Sequence, residues 1–186
     1  LESNRLELSP TFFDLIPLIY ATIAELKPLA DKKDLDLQLN TEITTLPIFN
    51  DKKRVKQILV NLISNAIKFT DAGHVFIQVL IPTSNGIEIK VQDTGIGISP
   101  EQIAHIFEPF RQGDQTTERR HPGTGLGLAI THSLISMMQG LITVESQVNE
   151  GTIFTVSMPR EVIAAAPRKT DPAQDTGVSD ITAAHE

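Results

Sequence analysis

Hydrophobic residues recur every three or four positions through residues 12–29, which is the pattern of an amphipathic helix. The Ser-Pro-Thr sequence before them favours Thr11 as the cap of this helix, which we expect to end near Asp31. Pro17 falls early inside it and interrupts its hydrogen bonding. A second, longer helix is predicted for DKKRVKQILVNLISNAIKFT, with Asp51 as its cap.

Apolar and polar residues alternate in five other stretches, which is the pattern of a strand with one buried face. The first is LDLQLN, in which Leu35, Leu37 and Leu39 share one side. HVFIQVLI and IEIKVQD flank a TSNG turn and predict a hairpin, and LITVES with TIFTVSMP predicts a further strand pair.

Two shorter helices complete the pattern. One is SPEQIAHIF, with Ser99 as its cap, and the other runs from about residue 125 to 138 and is stopped by Gly140. Together the elements predict an α+β fold: a two-layer sandwich with a mixed, mostly antiparallel sheet and about three helices on one face. We expect residues 1–9 to be a linker, 10–160 the folded domain, and 161–186, which have little to bury, a disordered tail or linker.

Composition narrows the class of protein. The 186 residues are 40% hydrophobic and carry a net charge of −7, so the chain can bury a core and is a poor candidate for nucleic-acid binding. The absence of cysteine excludes disulfides and Cys-based metal sites. No apolar run reaches the roughly 20 residues that span a bilayer, and no signal peptide begins the chain. We therefore expect a cytoplasmic location, with the parent protein free to be membrane-anchored.

The stretch NLISNAIKF places two asparagines, Asn61 and Asn65, one helical turn apart and Lys68 close behind. This stripe fits the solvated face of an amphipathic helix. Asparagine is a poor helix former, however, and a carboxamide oxygen is a suitable ligand for Mg²⁺ beside phosphate groups. Both interpretations remain open on this helix alone.

Two glycine-rich stretches also carry chemistry. In DTGIGI, Asp93 at a strand end can accept hydrogen bonds from an amine and a water, and the glycines let the backbone approach a flat ligand; the alternative is a plain turn. In GTGLGLA, Gly123, Gly125 and Gly127 precede a helix, where exposed N–H groups form an anion site; the alternative is a flexible hinge.

The polar segment between these two stretches, FEPFRQGDQTTERRHPGTG, is typical of a mobile lid. Phe107 and Phe110 would anchor its near end, although both also suit an ordinary core. Arg111, Arg119 and Arg120 supply cations for a polyphosphate, or else are solvated charges.

Taken in order, NLISNAIKFT, DTGIGI, FEPF and GTGLGL resemble the N, G1, F and G2 boxes of sensor histidine kinases, and the resemblance covers residues 10–160. It implies the Bergerat α/β sandwich and the ATP-binding catalytic domain of a two-component kinase, most like the hybrid type that works in phosphorelays. The implied cofactors are ATP and Mg²⁺. The resemblance also implies that a histidine on another domain receives the γ-phosphate.

The resemblance assigns roles residue by residue. Asn65 is the implied Mg²⁺ ligand, Asn61 and Lys68 act catalytically at the phosphates, and Asp93 accepts the adenine amine with help from Thr152. The full set expected to bind the nucleotide is Asn61, Asn65, Lys68, Phe69, Asp93, Gly95, Gly97, Ile98, Phe107, Phe110, Gly123, Thr124, Gly125, Leu126, Gly127 and Thr152.

Asn61 separates kinases from hydrolases within this superfamily, because the hydrolysing relatives place a glutamate there as general base and an amide cannot accept that proton. None of the five histidines lies in a phosphoacceptor box. The expected partners are therefore a separate His-bearing dimerisation domain and a receiver domain or response regulator. The isolated domain is expected to be a monomer and the parent kinase a homodimer. The alternative functions are a nucleotide-dependent interaction module without kinase activity, an ATPase or a protein-serine kinase of the same fold.

Overall fold

The computed structural model describes residues 7–109 and 125–162, and this part of the chain forms seven strands and four helices. In chain order the elements are β1 (Thr11–Asp14), α1 (Leu15–Asp31), β2 (Asp36–Asn40), β3 (Pro47–Asn50), α2 (Lys52–Phe69), β4 (His74–Thr83), β5 (Gly86–Asp93), α3 (Pro100–Ile103), α4 (Gly127–Met137), β6 (Leu141–Gln147) and β7 (Gly151–Pro159).

The main sheet has five strands in the order β2-β4-β5-β7-β6. Its β2–β4 pair is parallel and its other pairs are antiparallel, which confirms the predicted mixed, mostly antiparallel sheet. A small second sheet pairs β1 with β3. The alternation in β5 buries Ile87, Ile89 and Val91, which join the apolar face of α2 in one continuous core. The result is the predicted two-layer α+β fold.

The start of α1 differs from the prediction. Residues Thr11–Asp14 pair with β3 as a strand, so the helix begins at Leu15 and its cap is Asp14, not Thr11. Asp14 Oδ1 accepts hydrogen bonds from the backbone N–H groups of Ile16, at 3.0 Å, and Leu46, at 2.9 Å. Helical spacing of apolar residues could not reveal a pairing with a distant strand. Pro17 consequently lies in the first turn, where its missing N–H has no helical partner to lose.

The predicted cap of α2 is confirmed. Asp51 Oδ1 accepts a hydrogen bond from the Arg54 backbone N–H at 3.1 Å, and its Oδ2 accepts one from Ser9 at 2.9 Å. Ser99 likewise caps α3 in a capping box with Gln102, although α3 ends at Ile103 and is shorter than the predicted helix SPEQIAHIF. No helix in the described ranges has both the length and the apolar character that crossing a membrane requires.

The end of the described chain returns to the small sheet. The Val162 N–H donates to the Phe49 carbonyl at 2.9 Å, and the Val162 side chain is buried. These contacts bring Glu161 and Val162, the first two residues of the segment 161–186, into the folded unit. The remainder of that segment lies outside the described residues, as do residues 1–6 of the predicted linker and the predicted lid from 110 to 124.

Candidate functional site

Asn61 lies between two helices. Its side-chain N–H donates to the buried hydroxyl of Thr131 on α4 at 2.8 Å, and a Cβ on Gly127 would overlap its amide oxygen. The missing side chain at Gly127 therefore leaves the space that the Asn61 amide fills. Sequence reasoning missed Thr131, because a threonine inside an apolar helix gives no sign of a partner on another helix.

Asn65 and Lys68 continue the polar stripe of α2 toward its C-terminal end, and both are half-buried. Within residues 7–109 and 125–162, the Asn65 side chain has no hydrogen-bond partner, so its amide oxygen is available to a ligand. The Lys68 ammonium lies 4.9 Å from the centre of the Phe69 ring, a cation–π contact. Burial lowers the pKa of Lys68 from its ordinary value of 10.5.

The C-terminal end of α2 is held by Lys33, which sequence reasoning did not single out. The Lys33 ammonium donates to the backbone carbonyls of Ile67, Lys68 and Thr70 at 3.0, 2.9 and 2.8 Å. Cations are favourable at this end of a helix because its last carbonyls carry partial negative charge. This contact fixes the backbone from which Lys68 and Phe69 project.

Asp93 ends β5 and is only 7% exposed. Burial raises the pKa of its carboxyl above the ordinary 3.8, while backbone hydrogen bonds from Gly95 and Thr152 oppose that rise. The Gly95 N–H donates to Asp93 Oδ1 at 2.8 Å. Thr152, also buried, lies directly opposite Asp93 on β7, so the two side chains share one face of the sheet. The structure thus brings together two residues predicted to act on one group.

The glycines after Asp93 are needed for contacts within the protein. A Cβ on Gly95 would overlap the Phe69 carbonyl, which also accepts the Ile96 N–H at 3.1 Å. Gly97 has a φ of +69°, and a Cβ there would overlap the Gln147 carbonyl. The sequence analysis explains these glycines by the close approach of a flat ligand. The structure adds a second reason, since the backbone of this loop packs directly against the backbone of Phe69 and Gln147.

Ser146 on β6 connects this loop to Thr152, and sequence reasoning missed it. Its hydroxyl accepts the Ile98 N–H at 2.8 Å, lies 2.8 Å from the Gly151 carbonyl and lies 2.9 Å from the Thr152 hydroxyl. Ile98 itself is half-buried against the core. Ser146 therefore connects the loop at Ile98 to Gly151 and Thr152 at the start of β7.

The remaining predicted residues lie near α4. Phe107 packs partly buried against the core, and its ring centre lies 5.2 Å from that of His132. Gly125 has a φ of +68°, and Leu126 occupies the cap position of α4 without a capping side chain, which leaves the first N–H groups of that helix to other partners. Phe110, Gly123 and Thr124 lie outside the described residues, together with the three lid arginines.

A groove of about 450 Å³ runs between α2 and α4. Its lining residues are Lys53, Lys56, Gln57, Val60, Asn61, Ser64, Gly127, Ile130 and Thr131. Neither Asp93 nor Thr152 lines it, so among the predicted site residues it includes Asn61 and Gly127 and leaves out the pair at the end of β5. Among the described residues, no cluster of three His, Asp or Glu side chains is arranged to hold a metal ion.

Comparison with known proteins identifies relatives of this arrangement. Residues 50–162 match the family described as "Histidine kinase-, DNA gyrase B-, and HSP90-like ATPase". The chain is 39% identical to the autoinducer 2 sensor kinase/phosphatase LuxQ of Vibrio cholerae over 94% of its own length, and 39% identical to the sensor histidine kinase RcsC of Escherichia coli over 86%. It spans 21% and 17% of the lengths of those two proteins.

Solved structures of other proteins also superpose on this chain. Full-length ShkA in complex with AMPPNP superposes with a TM-score of 0.75 at 32% identity, covering 86% of this chain and 33% of that one. The catalytic domain of the histidine kinase ThkA superposes with a TM-score of 0.72 at 29% identity, covering 82% of this chain and 97% of that domain. ThkA in complex with the response regulator TrrA gives a TM-score of 0.69 at 27% identity, covering 82% of this chain and 42% of that one.

Proposed function

Because the chain belongs to the histidine kinase-, DNA gyrase B- and HSP90-like ATPase family and has the fold of histidine kinase catalytic domains, we propose that it binds ATP and donates the γ-phosphate to a histidine on another domain. The observation that carries the proposal is the buried Asp93 carboxylate opposite Thr152, joined through the Phe69 carbonyl to the helix that bears Asn65 and Lys68. One continuous set of contacts thus links the proposed adenine-binding residues to the proposed phosphate-binding residues.

The adenine end of the proposed site is formed by Asp93 and Thr152. An ionised carboxylate accepts hydrogen bonds and cannot donate them, so it selects the exocyclic amine of adenine. Burial strengthens this preference, because an acceptor left unpaired away from water is costly. Gly95, Gly97 and Ile98 hold the adjoining loop in place through the backbone contacts described above.

The phosphate end is formed by Asn65, Lys68 and the start of α4. The amide oxygen of Asn65, which has no partner among the described residues, has the chemistry of a Mg²⁺ ligand. One protein oxygen suffices for an ion that keeps several waters and takes its other ligands from phosphates. Bound Mg²⁺ would neutralise phosphate charge. Lys68 supplies a cation beside it, while Gly125, Leu126 and Gly127 offer backbone N–H groups. In the full site we expect Phe69, Phe107, Phe110, Gly123 and Thr124 to contact the nucleotide as well.

Asn61 favours transfer of the γ-phosphate to a histidine over its hydrolysis by water. Its amide donates to Thr131 and has no basic atom, so it cannot activate water for hydrolysis. A neutral imidazole nitrogen from the acceptor domain instead attacks the γ-phosphorus: the new N–P bond forms, the bond to the β,γ-bridging oxygen breaks, and ADP leaves with the electron pair. The imidazolium loses its other proton to solvent. Asn61 thus holds α4 against α2 without offering a base, and we expect it to contact the nucleotide at the phosphate end as well.

The partners follow from the same proposal. The phosphoacceptor is a His-bearing dimerisation domain, and the phosphate continues to a receiver domain or response regulator. The solved complex of the histidine kinase ThkA with the response regulator TrrA supports a partner of this kind. We propose a cytoplasmic location and a homodimeric parent protein in which this chain is the catalytic part. No observation on the described residues favours the alternative of a non-catalytic interaction module.

The decisive experiment is transfer of labelled γ-phosphate from ATP to a separately supplied His-bearing hairpin domain. We expect Mg²⁺-dependent labelling that falls at least about tenfold for Asn65→Ala, because the loss of one charge-assisted contact is worth on that order. Lys52→Ala, on an exposed position of the same helix, is the matched control and should retain full transfer. Rapid ATP hydrolysis without transfer would contradict the argument from Asn61.

A further inference from the structure

The Ser146 hydroxyl makes three polar contacts at once. The Ile98 N–H points to it at 2.8 Å, the Gly151 carbonyl oxygen lies 2.8 Å away and the Thr152 hydroxyl lies 2.9 Å away. All three distances are those of good hydrogen bonds. The half-buried position of Ser146 on the outer strand β6 limits the alternatives that water offers.

Only one assignment of the hydroxyl protons makes all three contacts hydrogen bonds. A serine hydroxyl has one proton to donate and two lone pairs to accept with. The Gly151 carbonyl can only accept, so the Ser146 proton goes to it, and the Ile98 N–H can only donate, so it occupies one Ser146 lone pair. The third contact is a hydrogen bond only if Thr152 donates its own proton to the remaining lone pair.

This assignment fixes what Thr152 offers to a ligand. Its single hydroxyl proton is used by Ser146, so Thr152 presents lone pairs alone. Directly opposite it on the same face of the sheet is Asp93, whose carboxylate is also an acceptor when ionised. The two side chains therefore form a pair of acceptors, both buried. Such a pair fits a group with two N–H donors and repels a carbonyl oxygen.

We propose that Ser146 is a specificity-determining residue of this site, which orients the Thr152 hydroxyl as an acceptor and so selects a 6-amino purine over a 6-oxo purine. The inference rests on the proposed binding of ATP at Asp93. Ser146 acts through Thr152 and is a positioning residue. Its removal frees the Thr152 hydroxyl to rotate and to donate to a purine oxygen.

Calorimetric titration of the chain with ATP and with inosine triphosphate tests the proposal, because inosine triphosphate replaces the 6-amino group with oxygen. The wild type should favour ATP by at least about a hundredfold, as expected of a buried site matched to a donor. Ser146→Ala should lower the ratio of the two affinities by roughly threefold to tenfold, the value of one hydrogen bond. Equal weakening of both nucleotides would mean a structural role only and would overturn the proposal.

Two further variants separate the effects. Ser157→Ala removes a hydroxyl that contacts Glu88 elsewhere in the same sheet, and it should leave the ratio unchanged. Thr152→Val should lower the ratio on its own, and adding Ser146→Ala to it should lower the ratio no further. A further drop in the double variant would overturn the proposal.

Thr152→Val also gives the answer if Ser146→Ala does not fold. In that case an unchanged ratio in Thr152→Val overturns the proposal, and a lowered ratio supports it. Failure of the wild type to bind either nucleotide would instead overturn the proposed function, and this inference with it.

Discussion

At the scale of single residues, Asp93 combines a structural cost with a proposed role in binding adenine. Its burial raises the carboxyl pKa above the ordinary 3.8, because the charged form is poorly solvated there. A group with a raised pKa favours the folded state most when it is protonated. This favourable contribution is fully present below the ordinary value and is lost as the pH rises through the raised pKa.

We expect the nucleotide-free protein to lose stability through that pH window and to gain ATP affinity through the same window. Asp93→Asn should remove both trends. At pH 7 it should keep the free energy of unfolding within about 1 kcal/mol of wild type or raise it, while ATP affinity falls at least about a hundredfold. Thermal melting and calorimetric titration as functions of pH check this. Unchanged ATP affinity in the variant would remove the assignment of Asp93 to adenine.

Sequence reasoning selected those candidate site residues whose chemistry can be inferred from the residue type and its immediate neighbours. Asp93, Asn61 and Asn65 stand out because a carboxylate before glycines, or amides in an apolar helix, need a reason. Ser146 and Thr131 do not stand out, since their importance comes from partners on other elements. When the hydrogen-bond partner of a hydroxyl group lies on a distant element, the local sequence cannot reveal it.

At the scale of elements, the four described helices and the five strands of the main sheet were predictable, while the small β1–β3 sheet and the joints between elements were not. Asp51 and Ser99 are local caps, and local sequence predicts them. Asp14 replaces Thr11 as the cap of α1 because β1 pairs with β3, a contact between distant segments. Lys33 belongs to the same group, since its role depends on α1 ending beside the end of α2.

Lys33→Met should destabilise the fold by about 2 kcal/mol, because an ammonium that caps three carbonyls is lost while the side-chain volume is nearly kept. Urea denaturation measures this. Lys27→Met is the matched control: Lys27 forms an exposed pair with Asp31 on the same helix, and such pairs contribute little. A comparable loss in both variants would show that the loss of a lysine from this region, and not the cap, is responsible.

At the scale of the whole molecule, the α+β class and the mostly antiparallel sheet were predictable from helical spacing and strand alternation of the apolar residues. The strand order was not, because sequence patterns carry no information about which strands become neighbours. The parallel β2–β4 pair and the return of the chain to β3 at Val162 are examples. The second of these shows that the described fold extends past residue 160.

Val162→Ala should lower the free energy of unfolding by about 2 kcal/mol, because Val162 is 2% exposed and its truncation leaves a cavity. Val148→Ala makes the same chemical change at a position that is 51% exposed and should cost less than about 0.5 kcal/mol. Chemical denaturation of both variants gives the comparison. Similar small losses would show that residues after Pro159 contribute little to the core.

The opposition of Asp93 and Thr152 has a consequence for synthesis and folding. The two residues belong to central strands β5 and β7, and α3 and α4 lie between those strands in the chain. Pairing across such a separation requires closing a long loop and is slow compared with local contacts. A chain still emerging from the ribosome holds Asp93 without its opposite residue until β7 has been made. The nucleotide binding that we propose at this site therefore requires a chain in which β7 has already paired with β5.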